Sequence, residues 1–200
     1  MTKNVFLGGS RISDLHGTLP KLVCKKLDNI MERNYSILIG DANGVDKMVQ
    51  DYLFNHNYKK VTVYHSGEHI RNKTDREWNS KHISIDDKKK LNGREVQSLK
   101  DTIMAEQADT GYMIWSDIYI NKRFGNKCVS SGTMANILNL LSDNKPVIVY
   151  YIPDKTNYIL KDVKDFNSIL LPIIDQIAVA KWNTLLKKKN ISKPLPSLFD

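Results

Sequence analysis

Twice near its start, this chain runs a short apolar segment straight into glycine. Val5-Phe6-Leu7 meets Gly8-Gly9, and Ser36-Ile37-Leu38-Ile39 meets Gly40. Runs this short are strands rather than helices, and their lack of alternation marks them as buried on both faces. Glycine at the end of such a strand signals a turn or a close backbone approach. Between the two runs, Leu19, Leu22, Val23, Leu27, Ile30 and Met31 recur at helical spacing and predict an amphipathic helix over residues 18–33. Val45, Met48, Val49, Tyr52 and Leu53 mark a second helix, and Lys60 to Tyr64 a third strand. The alternation then pauses over a polar stretch, 65–95, which carries His65, His69 and His82 and reads as a long loop with some helix.

It resumes with Val96, Leu99 and Ile103 on a helix and Tyr112-Met113-Ile114-Trp115 on a strand. A polar excursion over 117–128 follows, with Tyr119 and Phe124 in it. Met134, Ile137, Leu138 and Leu141 form the next helix, and Pro146 to Tyr151 the next strand. Strands alternating with helices predict an α/β fold of Rossmann-like type. The expected form is an open, mainly parallel sheet with helices on both faces, plus a C-terminal helix. That last helix is read from Ile169, Leu170, Ile173, Ile174, Ile177, Trp182, Leu185 and Leu186, with Pro172 near its first turn. The expected organisation is one domain over 1–151 and a helical extension over 152–200 packed on it.

The chain has 200 residues, 41% of them apolar, and a formal net charge of +8. No apolar run approaches the roughly 18 residues that span a bilayer, and the N-terminus lacks the pattern of a signal peptide, so the expected location is cytoplasmic. Cys24 and Cys128 lack CxxC spacing and are expected as reduced thiols. Lysine runs Lys88-Lys89-Lys90 and Lys187-Lys188-Lys189 hold much of the positive charge, and Lys193-Pro194-Leu195-Pro196 reads as a tail. Such runs are usually solvated surface, so nucleic acid ranks below a small anionic ligand as a partner. No cofactor motif and no metal-ligand spacing stands out, and self-association is left open.

Three glycine-bearing loops fall where ligands bind in open α/β sheets, beyond the carboxyl ends of strands. Gly8, Gly9, Ser10 and Arg11 offer backbone N–H groups, a hydroxyl and a guanidinium to a phosphate. Gly40, Asp41, Ala42, Asn43, Gly44, Val45 and Asp46 lead into a helix whose N-terminus suits an anion. Asp41 and Asp46 are candidates for ribose hydroxyls, with helix capping as the plain alternative for Asp46. No GK[ST] follows, so this is not a Walker A loop. Ser130, Ser131, Gly132 and Thr133 open the third helix with hydroxyls and N–H groups together, and Asn136 lies one turn on. Lys100 and Asp101, on the preceding helix, are candidates to neutralise and orient charge in the same cleft.

These segments resemble the SLOG superfamily, which groups DprA/Smf-like DNA-processing proteins with LOG-type nucleotide phosphoribohydrolases, and within it the YspA/YpsA-related branch. The matching residues are Gly8-Gly9-Ser10-Arg11, Gly40-Asp41-Ala42-x-Gly44-Val45-Asp46 and Lys100-Asp101-x-x-Met104-Ala105. They continue with Ala108-Asp109, Met113-Ile114-Trp115, Ser131-Gly132-Thr133-x-x-Asn136-Ile137 and Lys145-Pro146-Val147. The resemblance covers residues 3–151 and implies a fold that binds nucleotides or nucleotide-derived ligands. LOG-type enzymes carry PGGxGTxxE in the third loop, and Asn136 stands where that glutamate would be. An amide cannot replace a carboxylate in general base chemistry or in stabilising an oxocarbenium-like charge. The expectation is therefore a module that binds or senses a nucleotide-type ligand. The alternative is an N-glycosidic hydrolase with Asp46 and Asp101 as catalytic carboxylates, and a further alternative is DprA-like binding of single-stranded DNA.

Overall fold

The computed structural model describes residues 2–11, 15, 17–84, 92–121 and 123–191. The Lys88-Lys89-Lys90 run and the Lys193 to Pro196 tail lie outside the described residues. Nine strands and six helices follow in chain order among those residues: β1 (Asn4–Gly9), α1 (Lys21–Glu32), β2 (Ser36–Gly40), α2 (Val45–Asn55), β3 (Val61–His65) and β4 (Asn79–His82). Then come α3 (Gly93–Gln107), β5 (Thr110–Trp115), β6 (Ile118–Ile120), β7 (Lys127–Val129), α4 (Ser131–Ser142), β8 (Val147–Tyr151), β9 (Thr156–Leu160), α5 (Val163–Asp165) and α6 (Gln176–Lys188).

Seven strands form one sheet in the order β4-β3-β2-β1-β5-β8-β9, and β6 pairs with β7 apart from it. All neighbours in the large sheet are parallel except β8 and β9. The fold is Rossmann-like and mainly parallel. Alternate side chains sort the core into two layers. Val5, Leu7, Ile37 and Ile39 pack with Val23 and Leu27 of α1 and Val49 and Leu53 of α2. Phe6, Leu38, Met113 and Trp115 pack on the other face with Met104 of α3, Ile137 and Leu141 of α4, and Trp182 of α6. Burying both faces accounts for strands that read as unbroken apolar runs.

Four helices stop by one device. Asn34, Asn57, Asn144 and Asn190 each sit two residues beyond the end of α1, α2, α4 and α6, with φ between 53° and 57°. In each case the next N–H bonds back to a carbonyl of the last turn: Tyr35 to Ile30, Tyr58 to Leu53, Lys145 to Leu140 and Ile191 to Leu186. These are Schellman-type ends, with asparagine in the left-handed conformation that glycine usually supplies.

Three segments differ from the sequence expectation. The 65–95 stretch contains β4, a parallel edge strand beside β3 whose four residues are all exposed. It carries no apolar pattern because neither of its faces is buried. The 117–128 excursion is the β6–β7 hairpin. The region after 151 adds β9 to the sheet edge before any helix forms, and the expected single helix from Ile169 is split. Phe166–Leu170 is a π-helical turn, and α6 starts only after Pro172, where the Asp175 side chain accepts from Ile177 N at 3.0 Å. Proline has no N–H to continue the ladder, and the aspartate supplies a fresh N-cap.

Candidate functional site

Sheet order reverses between β1 and β5. From β1 the chain moves outward through β2, β3 and β4, then returns to the other side of β1 for β5. In open sheets this switch point leaves a crevice beyond the strands' carboxyl ends. Gly8 and Gly9 close β1 at that edge, and Gly9 pairs with Ile114 of β5.

Ser10 sits in the crevice, 1% exposed. Its N–H donates to Ile114 O at 3.0 Å, and its carbonyl accepts from Val45 N at the start of α2. Its hydroxyl accepts from Ser116 N at 3.0 Å and lies 3.0 Å from the Ser130 hydroxyl. One serine thus joins all three glycine-bearing loops. Ser130 N in turn donates to Asp117 O at 2.8 Å, and Trp115 Nε1 donates to Ser130 O at 3.3 Å. Arg11 is exposed.

The loop after β2 closes on itself. Gly44 has φ of +87°, and a Cβ there would lie 2.1 Å from the Arg11 carbonyl oxygen, so only glycine fits. Asp41 is 1% exposed and forms an ion pair with Arg71. Arg71 Nε reaches Asp41 Oδ2 at 3.1 Å, and the Arg71 N–H reaches the same oxygen at 3.2 Å. Burial pushes the Asp41 carboxyl up, but the hydrogen bonds and charge of Arg71 outweigh it and hold it below its ordinary value. Asn72 Nδ2 donates to Asp41 O at 2.9 Å, and Gln50 Nε2 donates to Gly40 O at 2.9 Å.

Asp46, in the first turn of α2, aims back at the strand ends and accepts from Ala42 N at a long 3.4 Å. A Cβ on Gly40 would lie 2.6 Å from Asp46 Oδ2 and 3.0 Å from Lys100 Nζ, which fixes both charges against the end of β2. Burial pushes the Asp46 carboxyl up to about 6; Lys100 opposes that rise and Asp101 adds to it. Lys100 is 3% exposed and pairs with Asp101 at 3.0 Å.

The N-terminus of α4 is different. Ser130 is its N-cap residue but makes no side-chain cap bond, its hydroxyl being turned to Ser10, and the first turn holds no acid. Ser131 is half-buried, Thr133 is buried, and Gly132 is exposed with open space where a Cβ would stand. One turn on, Asn136 is 8% exposed and its Oδ1 has no hydrogen-bond partner among the described residues. Asn136 lines a cleft of about 300 Å³ with Ser98, Asp101, Gly132, Asn139 and Lys188. A buried amide oxygen without a donor is costly, and a ligand or water in the cleft is the natural remedy.

The structure brings Gly8, Gly9, Ser10, Gly40, Asp41, Ala42, Gly44, Val45, Asp46, Lys100, Asp101 and the Ser130–Asn136 segment to one edge of the sheet. Sequence reading missed Arg71, Asn72, Gln50, Ser116 and Asp117. Arg71 and Asn72 lie in the polar stretch without periodicity, so nothing in the sequence singles them out. Gln50 falls between the apolar positions of α2 and reads as a solvated residue. Cys24 and Cys128 are free and half-buried. Among the described residues no three His, Cys, Asp or Glu side chains gather as metal ligands, and no helix is long and apolar enough to cross a membrane.

No family model and no curated protein matches this sequence. The structure is similar to that of DNA processing protein A from Helicobacter pylori, a protein described for its unique single-stranded DNA binding mode. The likeness has a TM-score of 0.52 at 16% identity, over 93% of this chain and 81% of that one. At that identity it is a likeness of fold.

Proposed function

We propose that this protein binds the phosphate of a nucleotide-type ligand at the N-terminus of α4, with the rest of the ligand in the cleft beside Asn136. The observation that carries the reading is the uncapped first turn of α4. Ser130 makes no side-chain cap bond, the first turn holds no acid, a Cβ on Gly132 would meet open space, and the Asn136 amide oxygen one turn on has no partner among the described residues. Ser131 and Thr133 supply hydroxyls, and the exposed Arg11 a positive charge. Asn136 takes a hydrogen-bond donor from the sugar or base. Asp41 and Asp46 shape the neighbouring loop. Residues 152–191 belong to the same unit, supported by β9 on the sheet edge and α6 against α4. The YspA/YpsA-related motifs fit this reading, since binding at a helix N-terminus needs no carboxylate at position 136.

A second reading is single-stranded DNA. The fold likeness to a DNA-binding protein favours it, as does the net charge of +8. Hydrolysis of an N-glycosidic bond finds less support. Asp46 is 8% exposed behind Gly40, and Asp101 is held by Lys100.

Thermal unfolding against mononucleotides, dinucleotides and short oligodeoxynucleotides tests the site. A ligand at a hundred times its Kd adds roughly 2.7 kcal/mol, or a rise of about 5–10 °C for a chain of this size. Gly132→Asp places the protein's own carboxylate at the α4 N-terminus and is expected to abolish the shift. A shift that survives Gly132→Asp refutes the placement. Mass spectrometry of the bound ligand, intact or cleaved, separates binding from hydrolysis.

A further inference from the structure

The β6–β7 hairpin has no role in the site just described, yet it stands beside it. Asp117 and Ser130 already touch at its base through the 2.8 Å bond from Ser130 N to Asp117 O. The chain therefore leaves β5, makes the hairpin, and returns to the point it left. Ile118 and Val129 at the base are half-buried, whereas Ile120 and Lys127 are exposed, and Lys127 Nζ reaches Asp175 at the start of α6 at 3.1 Å. Phe124 at its tip is 70% exposed, the most exposed large apolar side chain among the described residues. Hydrogen bonds close the turn around Asn121. Asn121 Oδ1 accepts from Arg123 N at 2.9 Å and from Phe124 N at 3.3 Å. Gly125 N donates to Asn121 O at 2.8 Å, and Gly125 has φ of +67°. The Arg123 guanidinium lies 5.2 Å from the centre of the Phe124 ring.

We propose that this tip is a stacking platform for a base of a single-stranded nucleic acid whose phosphate occupies the N-terminus of α4; the proposal rests on the reading of that terminus given above. An exposed aromatic ring beside a guanidinium matches the chemistry of a base and its phosphate, with no sequence preference. The hairpin also exposes Ile120, but the group recorded at the Phe124 ring is the Arg123 guanidinium, and a cation there in a chain of net charge +8 favours a polyanion over an apolar partner. Reach decides between a nucleotide and a strand. Three strand residues carry the tip ~10 Å from the hairpin base. A stacked strand advances ~3.4 Å per nucleotide, so about three nucleotides bridge the interval and a mononucleotide does not.

The test uses the full chain and 5′-phosphorylated oligodeoxynucleotides of one to six nucleotides, with affinity read by calorimetry. Wild type is expected to bind four nucleotides far more tightly than one. Phe124→Ala is expected to weaken the four-nucleotide strand about ten-fold or more and to leave the mononucleotide unchanged, while Phe124→Trp retains wild-type affinity. Equal affinities of wild type and Phe124→Ala at every length overturn the platform alone, as does a strand that binds no better than a mononucleotide. A strand bound as tightly by Gly132→Asp as by wild type overturns the α4 reading, and the platform with it. A Phe124→Ala variant that alters only the oligomeric state in size-exclusion chromatography also overturns the proposal, and marks the tip as a contact between copies of the chain.

Discussion

Helices α2 and α4 both begin on glycine-bearing turns beyond strand ends, and both aim a first turn of N–H groups at the same edge of the sheet. At α2 the protein fills the space itself. Asp46 accepts from Ala42 N, Asp41 is clamped by Arg71, and Gly44 lies under the Arg11 carbonyl. At α4 no side chain among the described residues caps the first turn, and a Cβ on Gly132 would meet open space. A glycine-rich helix start is an anion site only where no internal carboxylate has claimed it. The same glycine serves two ends: at position 44 it admits the protein's backbone, and at position 132 it leaves space beside the helix.

Breaking the closed loop gives the largest expected effect. Arg71→Ala leaves Asp41 buried without its cation, and urea unfolding should show a loss of about 3 kcal/mol. That is the low end for a buried pair, because Arg71 is 42% exposed. Next is Asp46→Asn, with the opposite sign. The Asp46 carboxyl is raised from 3.8 to about 6 in the fold. A raised carboxyl favours the folded state fully below pH 4, and that stability is lost as pH rises through 6. Asn removes this dependence, so the variant should be more stable than wild type at pH 7 by up to about 3 kcal/mol, with a flatter profile between pH 4 and 6. Equal pH profiles for the two proteins would refute the burial of that charge. The smallest effect belongs to the open loop. Gly132→Ala should raise stability by about 0.5–1 kcal/mol, as expected for glycine replaced inside a helix with free space beside it. A destabilised Gly132→Ala would mean that α4 begins in a more crowded setting than the one described.

The sheet's parallel strands and the three loops were legible because burial on both faces leaves unbroken apolar runs, and glycine ends them. Asn34, Asn57, Asn144 and Asn190 were equally legible as helix stops, each following an amphipathic stretch, although none of them was read in that role. β4 could not be read, since Asn79-Ser80-Lys81-His82 is polar on every side and is held by backbone pairing alone. β9 escaped for a similar reason, with Ile159 63% exposed, Asn157 and Tyr158 half-buried, and Leu160 alone fully buried. In the site, the sequence placed Ser10 and Asp46 at the right edge but not their partners. Arg71 reaches Asp41 from thirty residues away, and Ser116 and Ser130 reach Ser10 from more than a hundred. Such long-range pairings leave no periodic trace in a single sequence.

The bond from Trp115 to Ser130 has an optical consequence. Trp115 is fully buried, and its indole N–H points at the carbonyl of the residue that opens α4. Charge is weakly screened in such an interior, so an anion arriving at the helix start alters the electric field along the indole. The emission wavelength of Trp115 then reports occupancy of α4 in the unlabelled protein, and the other two tryptophans, Trp78 and Trp182, supply the background against which it is read.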